Sequence, residues 1–475
     1  NKIMTIQQKP KYQLLPSGER IMFTVYDASV LTNYKFKYRA DIYVFNQVST
    51  PTKVATVKVS PNVKGKGIFD FSPIVDSYVS PDYEGGIVKT GSTDYSNTNT
   101  TPFNVQYHDI HRVDGYATNK NSVRYFYVIF TMEYSTTQVN SVIHYNGSPL
   151  QSSTYLVYNG VLNETDILNK GTGTSDIGYN LDYNNFILND TSSKFLSNGP
   201  TKQYVRDYDY LTLGFFQGYD EDFEVGTSGA TNPVLYKLKI QFYYNGSSTG
   251  SLLQKECVGA QGGYRAIVGE SETKLQFAGV GPGNIRGAGL TVPANWDYYV
   301  VYANDDTTAT ISTDYTFYKQ EEDCKGFETI RLTWLNKFGV WDYYNFTKKS
   351  SRMFSKESLN YEQQDGTWNE DVFSVKGYKG GTRNFTNKVT ERITINTDYI
   401  TPEDALWLEE LFLSTDVFIL EKSSTDNTDE GVIRKYITPV IIDSQEHMRM
   451  TSSNDNLIQY SFSITKSIKR KTHKR

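Results

Sequence analysis

The sequence predicts a mostly β protein, with several β-sandwich-like domains in tandem and a small α+β C-terminal domain. Two observations favour strands over helices. The chain is rich in residues that pack well on a pleated sheet, with 38 tyrosines and 25 phenylalanines among its 475 residues. In several segments apolar and polar residues alternate, which places them on opposite faces of a sheet. At about 100 to 200 residues per domain, this length predicts three or four domains.

Residues 1–140 are predicted to form the first β-sandwich-like domain. One of its strands has a row of alternate apolar residues, which are Phe36, Tyr38, Ala40, Ile42 and Val44. Residues 54–59 are the expected partner of this strand, and residues 123–134 are expected to close the sheet. Ser72 and Pro73 predict the N-cap and first turn of a short helix. Residues 80–104, rich in Gly, Ser, Thr and Asn, predict an exposed excursion.

The middle of the chain is predicted to contain a polar segment and a second sandwich. Residues 141–205 are polar and rich in asparagine, and we interpret them as an insert or an extended arm. Residues 206–325 are predicted to form the second β-sandwich-like domain. Its clearest strand covers residues 236–244 and ends at Asn245–Gly246, a strong signal for a hairpin turn. Residues 296–302 are expected to form a buried strand of the same domain.

Residues 331–346 predict the hairpin around which the rest of the chain is organised. Leu332 and Trp334 are expected on one face of its first strand, and residues 336–339 supply a short turn that ends in a glycine. The return strand carries large residues on both faces, including Trp341. We therefore expect other parts of the protein or a neighbouring subunit to cover it. The hairpin opens a β module that is predicted to extend over residues 326–395.

Residues 396–475 are predicted to form an α+β closing domain with a basic tail. Thr401 is a good N-cap and Pro402 suits the first helical position, so a helix is expected to follow. Its apolar stripe consists of Ala405, Leu408, Leu411 and Phe412. Strands over residues 417–420, 440–442 and 457–464 are expected to cover that stripe.

Three parts of the chain resemble virion structural proteins of tailed bacteriophages that infect Bacteroidetes, including crAss-like phages. The matching segments are Phe36–Val44 with Gly67–Val75, Trp334–Asp342, and Thr397–Leu411. The resemblance implies a non-enzymatic virion structural protein, synthesised in the host bacterial cytoplasm. It also implies a homo-oligomeric ring in the phage neck or tail, in contact with other neck and tail structural proteins.

Two other functions stay open on the sequence. Exposed tyrosines and tryptophans suit sugar stacking as well as subunit packing, so the alternative is a receptor- or glycan-binding fibre or appendage protein. A fibre is favoured by a coiled-coil, collagen-like or β-helical repeat, and we find none of these in the sequence. A tail-associated depolymerase would need a pair of carboxylates in a cleft.

No group of residues predicts catalysis, a cofactor site or a metal site. His108 and His111 have an HxxH spacing, but in a strand they would point to opposite faces, and no strong third ligand is nearby. The loop Gly279–Gly283 lacks both the GxGxxG pattern and a following Gly-Lys-Ser/Thr, and we expect no strand–loop–helix context there. Five histidines with no Ser/His/Asp grouping do not predict a triad.

Charge and cysteine content limit the partners. A net charge of −5 and a pI near 5.7 argue against a general nucleic-acid coat. The tail, residues 466–475, carries six cations that could contact DNA or the acidic residues 421–430 of a neighbouring copy. Cys257 and Cys324 have no CxxC spacing, so we expect free thiols in a reducing cytoplasm and no zinc knuckle. No membrane span and no signal peptide are predicted.

Overall fold

The computed structural model confirms a mostly β fold. It describes residues 4–46, 50–84, 88–89, 109–113, 115–139, 143–145, 149–163, 166, 169–170, 176–179, 181–217, 235–257, 271–305, 308–321, 326–368, 370–421, 437–443, 450–451 and 458–467. The chain divides into two compact units. Unit 1 comprises Asn1–Gln320 and Leu335–Asp342, and unit 2 comprises Glu321–Trp334 and Tyr343–Arg475. No helix among the described residues is long and apolar enough to cross a membrane.

Unit 1 contains most of the strands and three short helices. The strands are β1 Thr5–Gln8, β2 Leu14–Pro16, β3 Met22–Tyr26, β4 Tyr34–Phe45, β5 Thr52–Val59, β6 Lys66–Asp70, β7 Val88–Lys89, β8 Tyr116–Thr118, β9 Val123–Ser135, β10 His144–Tyr145, β11 Leu150–Gln151, β12 Tyr155–Tyr158, β13 Asn169–Lys170, β14 Ile177–Gly178, β15 Lys202–Val205, β16 Thr212–Phe216, β17 Lys237–Tyr244, β18 Ser247–Glu256, β19 Leu275–Gly279, β20 Tyr298–Asn304 and β21 Tyr315–Lys319. The helices are α1 Ser72–Val75, α2 Asp109–Arg112 and α3 Pro282–Gly287, and 3-10 turns cover Ala28–Leu31, Asp76–Tyr78, Tyr183–Phe186 and Ser271–Thr273.

A seven-stranded sheet holds the N-terminal part of unit 1. Its order is β2-β12-β9-β4-β5, with β10 and β11 also paired to β9. The predicted strand over residues 36–44 and its partner are therefore confirmed as β4 and β5. The expectation that residues 123–134 close the sheet is wrong, because β9 lies between β4 and β12. The N-cap of α1 is Phe71, so Ser72 is already the first helical residue and does not cap the helix.

The described residues of the polar segment 141–205 pack into unit 1 and do not form an extended arm. Its strand β12 lies inside the seven-stranded sheet, and all four of its residues are buried. Further along, Tyr183, Phe195 and Leu196 are also buried. The composition of the segment does not predict this packing, because a few large aromatic residues account for much of the buried apolar area. The described residues of the predicted exposed excursion are 80–84 and 88–89, and the rest of it lies outside the described residues.

Four further sheets complete unit 1. Their strand orders are β15-β21-β20-β17-β18, β16-β19-β8-β7, β1-β3-β6 and β13-β14. The predicted turn between β17 and β18 is confirmed, because Asn245 and Gly246 have φ values of 49° and 75°. Both central residues of a tight hairpin turn of this type need a positive φ. The predicted buried strand over residues 296–302 is observed as β20, in which buried and partly exposed residues alternate over most of its length.

Unit 2 is built on one large sheet and the longest helix. The elements that follow β21 are β22 Ile330–Leu335, β23 Trp341–Phe346, β24 Ser351–Gln363, β25 Gly381–Asn396, α4 Pro402–Leu413, β26 Val417–Leu420, β27 Ile437–Ile442, β28 Met450–Thr451, β29 Ile458–Gln459 and β30 Ser461–Lys466. The order of the large sheet is β23-β22-β26-β27-β30-β25-β24. Strands from the two predicted segments 326–395 and 396–475 therefore share one sheet.

The hairpin of β22 and β23 has the predicted turn. Gly339 has a φ of 70°, and the backbone N–H of Asn336 donates to the carbonyl of Val340 at 2.9 Å. All six residues of β22 are buried, and five of the six in β23 are buried. The expectation that both faces of the return strand are covered is therefore confirmed. The turn residues Leu335–Asp342 belong to unit 1, where the Lys337 Nζ lies 2.7 Å from an Asp166 carboxylate oxygen.

Helix α4 begins and packs as the sequence predicts. Thr401 is the N-cap, and its hydroxyl accepts from the backbone N–H of Asp404 at 3.2 Å. Ala405, Leu408 and Leu411 are buried in a core that also contains Trp334, while Phe412 packs partly buried against it. The expected covering strands are present as β26, β27 and β30, and all three contribute residues to this core.

We expect Thr401→Ala to lower the free energy of unfolding of unit 2 by about 1 kcal/mol, because the first turn of α4 loses a side-chain acceptor for an unpaired backbone N–H. Thr401→Ser is the matched control, since serine keeps the hydroxyl and caps helices equally well. Urea denaturation, monitored by circular dichroism, gives the free energy of unfolding of both variants. Equal stability of the alanine variant and the wild type would contradict the role of the cap.

Candidate assembly surface

A long two-stranded ribbon extends from the edge of the unit 2 sheet. It consists of β24, the loop 364–380 and Gly381–Glu391 of β25, and we call residues 351–391 the arm. All thirteen residues of β24 are paired with β25, with one irregularity between Leu359 and Asn360. The pairing of β25 with its other neighbour, β30, begins only at Arg392. Among the described strands, the two strands of the arm therefore pair only with each other.

The arm has no core of its own. The first ten residues of β24 are exposed, so both faces of that strand are accessible. Many exposed side chains of the arm as a whole are large and apolar. They are Met353, Phe354, Leu359, Trp368, Val372, Phe373, Val375, Tyr378 and Phe385. A two-stranded hairpin is at best marginally stable when nothing covers it. An extended group of exposed apolar side chains marks an interaction site.

The apolar side chains of the arm lie on both faces. Met353 and Leu359 are six residues apart in a regular part of the strand and share one face, whereas Phe354 lies on the other. Among the described strands, β24 is the last of its sheet, so its outer edge pairs with none of them and is open to a further strand. An element that is apolar on two faces and open at an edge is suited to insertion between other protein surfaces.

Charged side chains fix the base of the arm. The Arg352 guanidinium donates to Glu328, with its Nη2 2.5 Å from one carboxylate oxygen and its Nε 3.0 Å from the other. Its Nη1 lies 2.6 Å from a carboxylate oxygen of Glu391 on β25. The hydrogen bonds to Glu328 and then to Glu391 raise the pKa of Arg352 above its ordinary value despite partial burial. This fork orients the base of the arm. Its pair with Glu328, whose side chain is 54% exposed, contributes little to stability, whereas the Glu391 carboxylate is buried.

The loop at the end of the arm is held by its own hydrogen bonds. The Thr367 hydroxyl donates to the Val372 carbonyl at 2.9 Å, and the backbone N–H of Ser374 donates to the Thr367 oxygen at 2.7 Å. The rings of Trp368 and Phe373 meet edge to face with centroids 6.2 Å apart. The loop therefore presents an ordered aromatic pair, and Trp368 is still 64% exposed.

The HxxH pair contributes no metal centre in the described part of the chain. His108 lies outside the described residues. His111 is in α2, where it is buried with its ring centroid 4.6 Å from that of Trp341. Among the described residues, no group of three His, Cys, Asp or Glu side chains is placed to hold a metal ion.

The glycine loop 279–283 is a packing element. The expectation of no strand–loop–helix context is wrong, because β19 leads through this loop into α3. The glycines are needed for close backbone contacts: a Cβ on Gly279 would lie 1.8 Å from the Val113 carbonyl oxygen. The Asn284 side chain donates to that same oxygen at 2.6 Å. Neighbouring parts of the protein therefore occupy the space next to the loop.

The remaining residues that the sequence singled out are the two cysteines, the acidic segment and the basic tail. Cys257 is buried, and its thiol donates to the Leu235 carbonyl, whereas Cys324 lies outside the described residues. Most of the acidic segment and of the basic tail, residues 422–430 and 468–475, also lies outside them. At the described ends of both segments, Lys466 donates to Glu421 of the same chain.

The arm itself was not predicted from the sequence. Its residues fall within the predicted β module, but β24 shows no apolar and polar alternation, so no buried face could be assigned to it. The alternation of Ile393 and Ile395 with polar residues marks only the buried end of β25. The sequence feature that could have indicated the arm is the long stretch of residues 351–391, which has scattered aromatic residues and no helix pattern.

Comparisons with known proteins do not identify a family. No protein-family model matches the sequence, and no curated protein matches it. Among solved structures, a chain of the virion of a native gene transfer agent (GTA) particle matches at 10% identity and a TM-score of 0.17, covering 30% of this chain and 95% of that chain. A chain from the tail of an empty GTA particle matches at 11% identity and a TM-score of 0.17, covering 30% and 96%. At TM-scores this low, the likenesses do not define a fold family.

Another solved structure matches over the whole chain but only part of its own length. E. coli alpha-2-macroglobulin matches at 8% identity and a TM-score of 0.18. The alignment covers 100% of this chain and 32% of that chain, so this chain spans about a third of that protein.

Proposed function

We propose that this chain is a non-enzymatic structural protein of a phage virion and that it assembles as a homo-oligomeric ring of the neck or tail. The arm carries the proposal, because it is a long ribbon whose apolar side chains are exposed on both faces. The resemblance of three segments to virion structural proteins supports the same role.

The occupant of the arm is a neighbouring copy of the chain. Permanent assemblies commonly bury about 2,000 Å² or more of surface, and their interface cores are enriched in aromatic residues and methionine. The arm offers this composition, with Met353, Phe354, Trp368 and Phe373 all exposed. Insertion of the arm between neighbours would cover both of its faces and pair the open edge of β24.

Two other contacts belong to the proposal. Other neck and tail structural proteins of the particle are the expected further partners. The basic tail, residues 466–475, would contact DNA that passes through the ring, because its six cations can neutralise phosphates. The virion is the proposed location, after synthesis in the cytoplasm of the host bacterium.

We expect the double variant Met353→Ser and Leu359→Ser to abolish self-assembly and to leave the fold intact. Both side chains are about two-thirds exposed in the single chain, so their loss removes interface area and no core packing. Mass photometry of the full chain across a concentration series gives the oligomeric state. The wild type is expected to form oligomers, and the variant is expected to remain monomeric with an unchanged melting temperature.

The control is Leu413→Ser at the end of α4 in the same unit. Leu413 is 74% exposed and lies outside the arm, so the control removes one exposed apolar side chain from a different surface and should assemble like the wild type. A wild type that is monomeric at every concentration would overturn the proposal. So would an arm variant that assembles as well as the control.

A further inference from the structure

A row of four tyrosines crosses the five-stranded sheet of unit 1. On adjacent strands, Tyr243 is paired with Tyr298, Tyr298 with Tyr318, and Tyr318 with Tyr204. The four residues are therefore in register and lie on the same face of the sheet. The opposite face of these strands is buried, and its residues include Leu238, Ile240, Phe242, Tyr299 and Phe317. The row is thus fixed on a rigid support and faces away from the core.

The rings of the row contact one another in sequence. The centroids of Tyr243 and Tyr298 are 4.9 Å apart with planes 10° from parallel. The next two pairs, Tyr298 with Tyr318 and Tyr318 with Tyr204, have centroids 5.6 Å and 5.7 Å apart and planes tilted by 44° and 36°. Tyr204 is 61% exposed, and the other three rings are partly exposed. The result is a continuous aromatic strip with a nearly constant repeat.

A second row of mostly polar residues runs beside the tyrosines. It is formed by Gln241, Val300, Thr316 and Lys202, which are paired across the same four strands. Lys239 lies farther along on the same face, with its Nζ 6.0 Å above the ring of Tyr302. The eight residues of the two rows include one lysine and no carboxylate. Hydrogen-bonding groups and positive charge therefore flank one side of the aromatic strip.

We infer that this face is a binding platform for a linear acidic polysaccharide. Tyr243 and Tyr298 stack on each other, so the row offers a ligand mainly ring edges and phenol hydroxyls, while the exposed Tyr204 ring can also pack against the C–H face of a sugar. Phenol, amide and hydroxyl groups exchange hydrogen bonds with sugar hydroxyls. A row with a nearly constant spacing suits a repeating polymer better than the irregular side chains of a protein surface.

Lys202 and Lys239 complement acidic sugars. The two rows contain no carboxylate, and Asp314, whose charge acts on Tyr302, lies outside them.

The platform does not depend on assembly through the arm. All of its residues lie in unit 1, whereas the arm lies in unit 2. The ligand site is already in place in the single chain, because the register of the sheet holds the rings in line before any ligand binds. Binding should therefore persist in an arm variant that is monomeric.

Affinity electrophoresis of the full chain tests the platform. Native gels contain polygalacturonate or alginate, and mobility is compared with gels that contain no polysaccharide. We expect both polymers to retard the wild type, Tyr204→Ala to weaken the retardation at least threefold, and Tyr298→Ala with Tyr318→Ala to abolish it. The single Tyr204 variant keeps the test valid if the double variant does not fold, because Tyr204 is exposed on the edge strand β15.

The matched control is Tyr43→Ala. Tyr43 stacks on Tyr127 across β4 and β9, with centroids 5.0 Å apart and planes 15° from parallel, so it removes the same kind of pair from a different sheet. This control should be retarded like the wild type. The inference is overturned if neither polymer retards the wild type, or if Tyr204→Ala is retarded equally. It is also overturned if Tyr204→Ala instead reduces self-association, since a second copy would then be the occupant.

Discussion

Replacing Trp334 by alanine is expected to lower the free energy of unfolding of unit 2 by about 3 to 5 kcal/mol, the usual cost of deleting a core tryptophan. The side chain is fully buried, and its ring centroid lies 5.3 Å from that of Trp407 on α4. The surrounding core joins β22 to the helix and to strands from both ends of the sheet. The Trp334 side chain therefore packs against elements that are far apart in sequence. No single neighbouring side chain can move to fill the cavity that alanine would leave.

The measurement is urea denaturation followed by tryptophan fluorescence and circular dichroism. Trp368→Ala is the control, because it deletes the same side chain from an exposed position in the arm of the same unit. The midpoint of its urea unfolding transition should equal that of the wild type. If Trp334→Ala were no less stable than Trp368→Ala, the hairpin of β22 and β23 would not be a core element.

Replacing Gly339 by alanine is expected to destabilise unit 1 by several kcal/mol, for two separate reasons. Its φ of 70° lies in the left-handed region, which costs an L-residue with a Cβ about 1 to 2 kcal/mol. A Cβ there would also lie 1.7 Å from the Asn159 carbonyl oxygen, which is backbone and cannot rotate away. The turn would have to move, and the contacts of Lys337 with Asp166 beside it would be weakened.

A second glycine separates these two effects. Gly289 has a φ of 74°, but a Cβ built on it meets nothing within 4 Å, so Gly289→Ala incurs the backbone strain without the clash. Thermal unfolding of both variants gives the difference that is due to the contact with Asn159. Equal melting temperatures for the two variants would show that the turn does not approach residue 159 closely.

The parts of the fold that the sequence predicts are those in which local chemistry and tertiary packing agree. Thr401 and Pro402 start α4 because capping depends on neighbours within one turn. Asn245 and Gly246 form the turn after β17 because few other residues tolerate two positive φ values. The alternation in residues 36–44 identifies a strand but not its place in the sheet. Such order depends on long-range pairing, which no local pattern specifies.

The candidate site was missed for a related reason. Sequence patterns detect a strand through its buried face, and most of the arm has none. Met353, Phe354 and Leu359 do not alternate with the polar residues between them, so β24 gave no amphipathic signal. The tyrosine row shows the opposite case. Tyr243 and Tyr298 fall in predicted strands, whereas Tyr204 falls in the predicted insert 141–205. The alignment arises from strand pairing, which joins Tyr204 to Tyr318 more than a hundred positions away.

Segment 141–205 shows how composition can mislead. Its polar, asparagine-rich composition predicted an insert or an extended arm. The structure instead buries β12 between two neighbouring strands, and the Tyr158 hydroxyl lies 3.1 Å from that of Tyr183. Large tyrosines with paired hydroxyls bury substantial area while lowering the mean hydropathy of a segment. The element that we now expect to become ordered in the assembly is the arm.

Hydrogen exchange on the free chain and on the assembled oligomer tests the assembly role of the arm most directly. In the free chain, the amides of residues 351–391 should exchange rapidly, because the ribbon has no covering layer. In the oligomer the same amides, and above all those at the open edge of β24, should exchange at least tenfold more slowly. The amides of α4 should change little and serve as the internal reference. Equal exchange of residues 351–391 in the two states would contradict assembly through the arm.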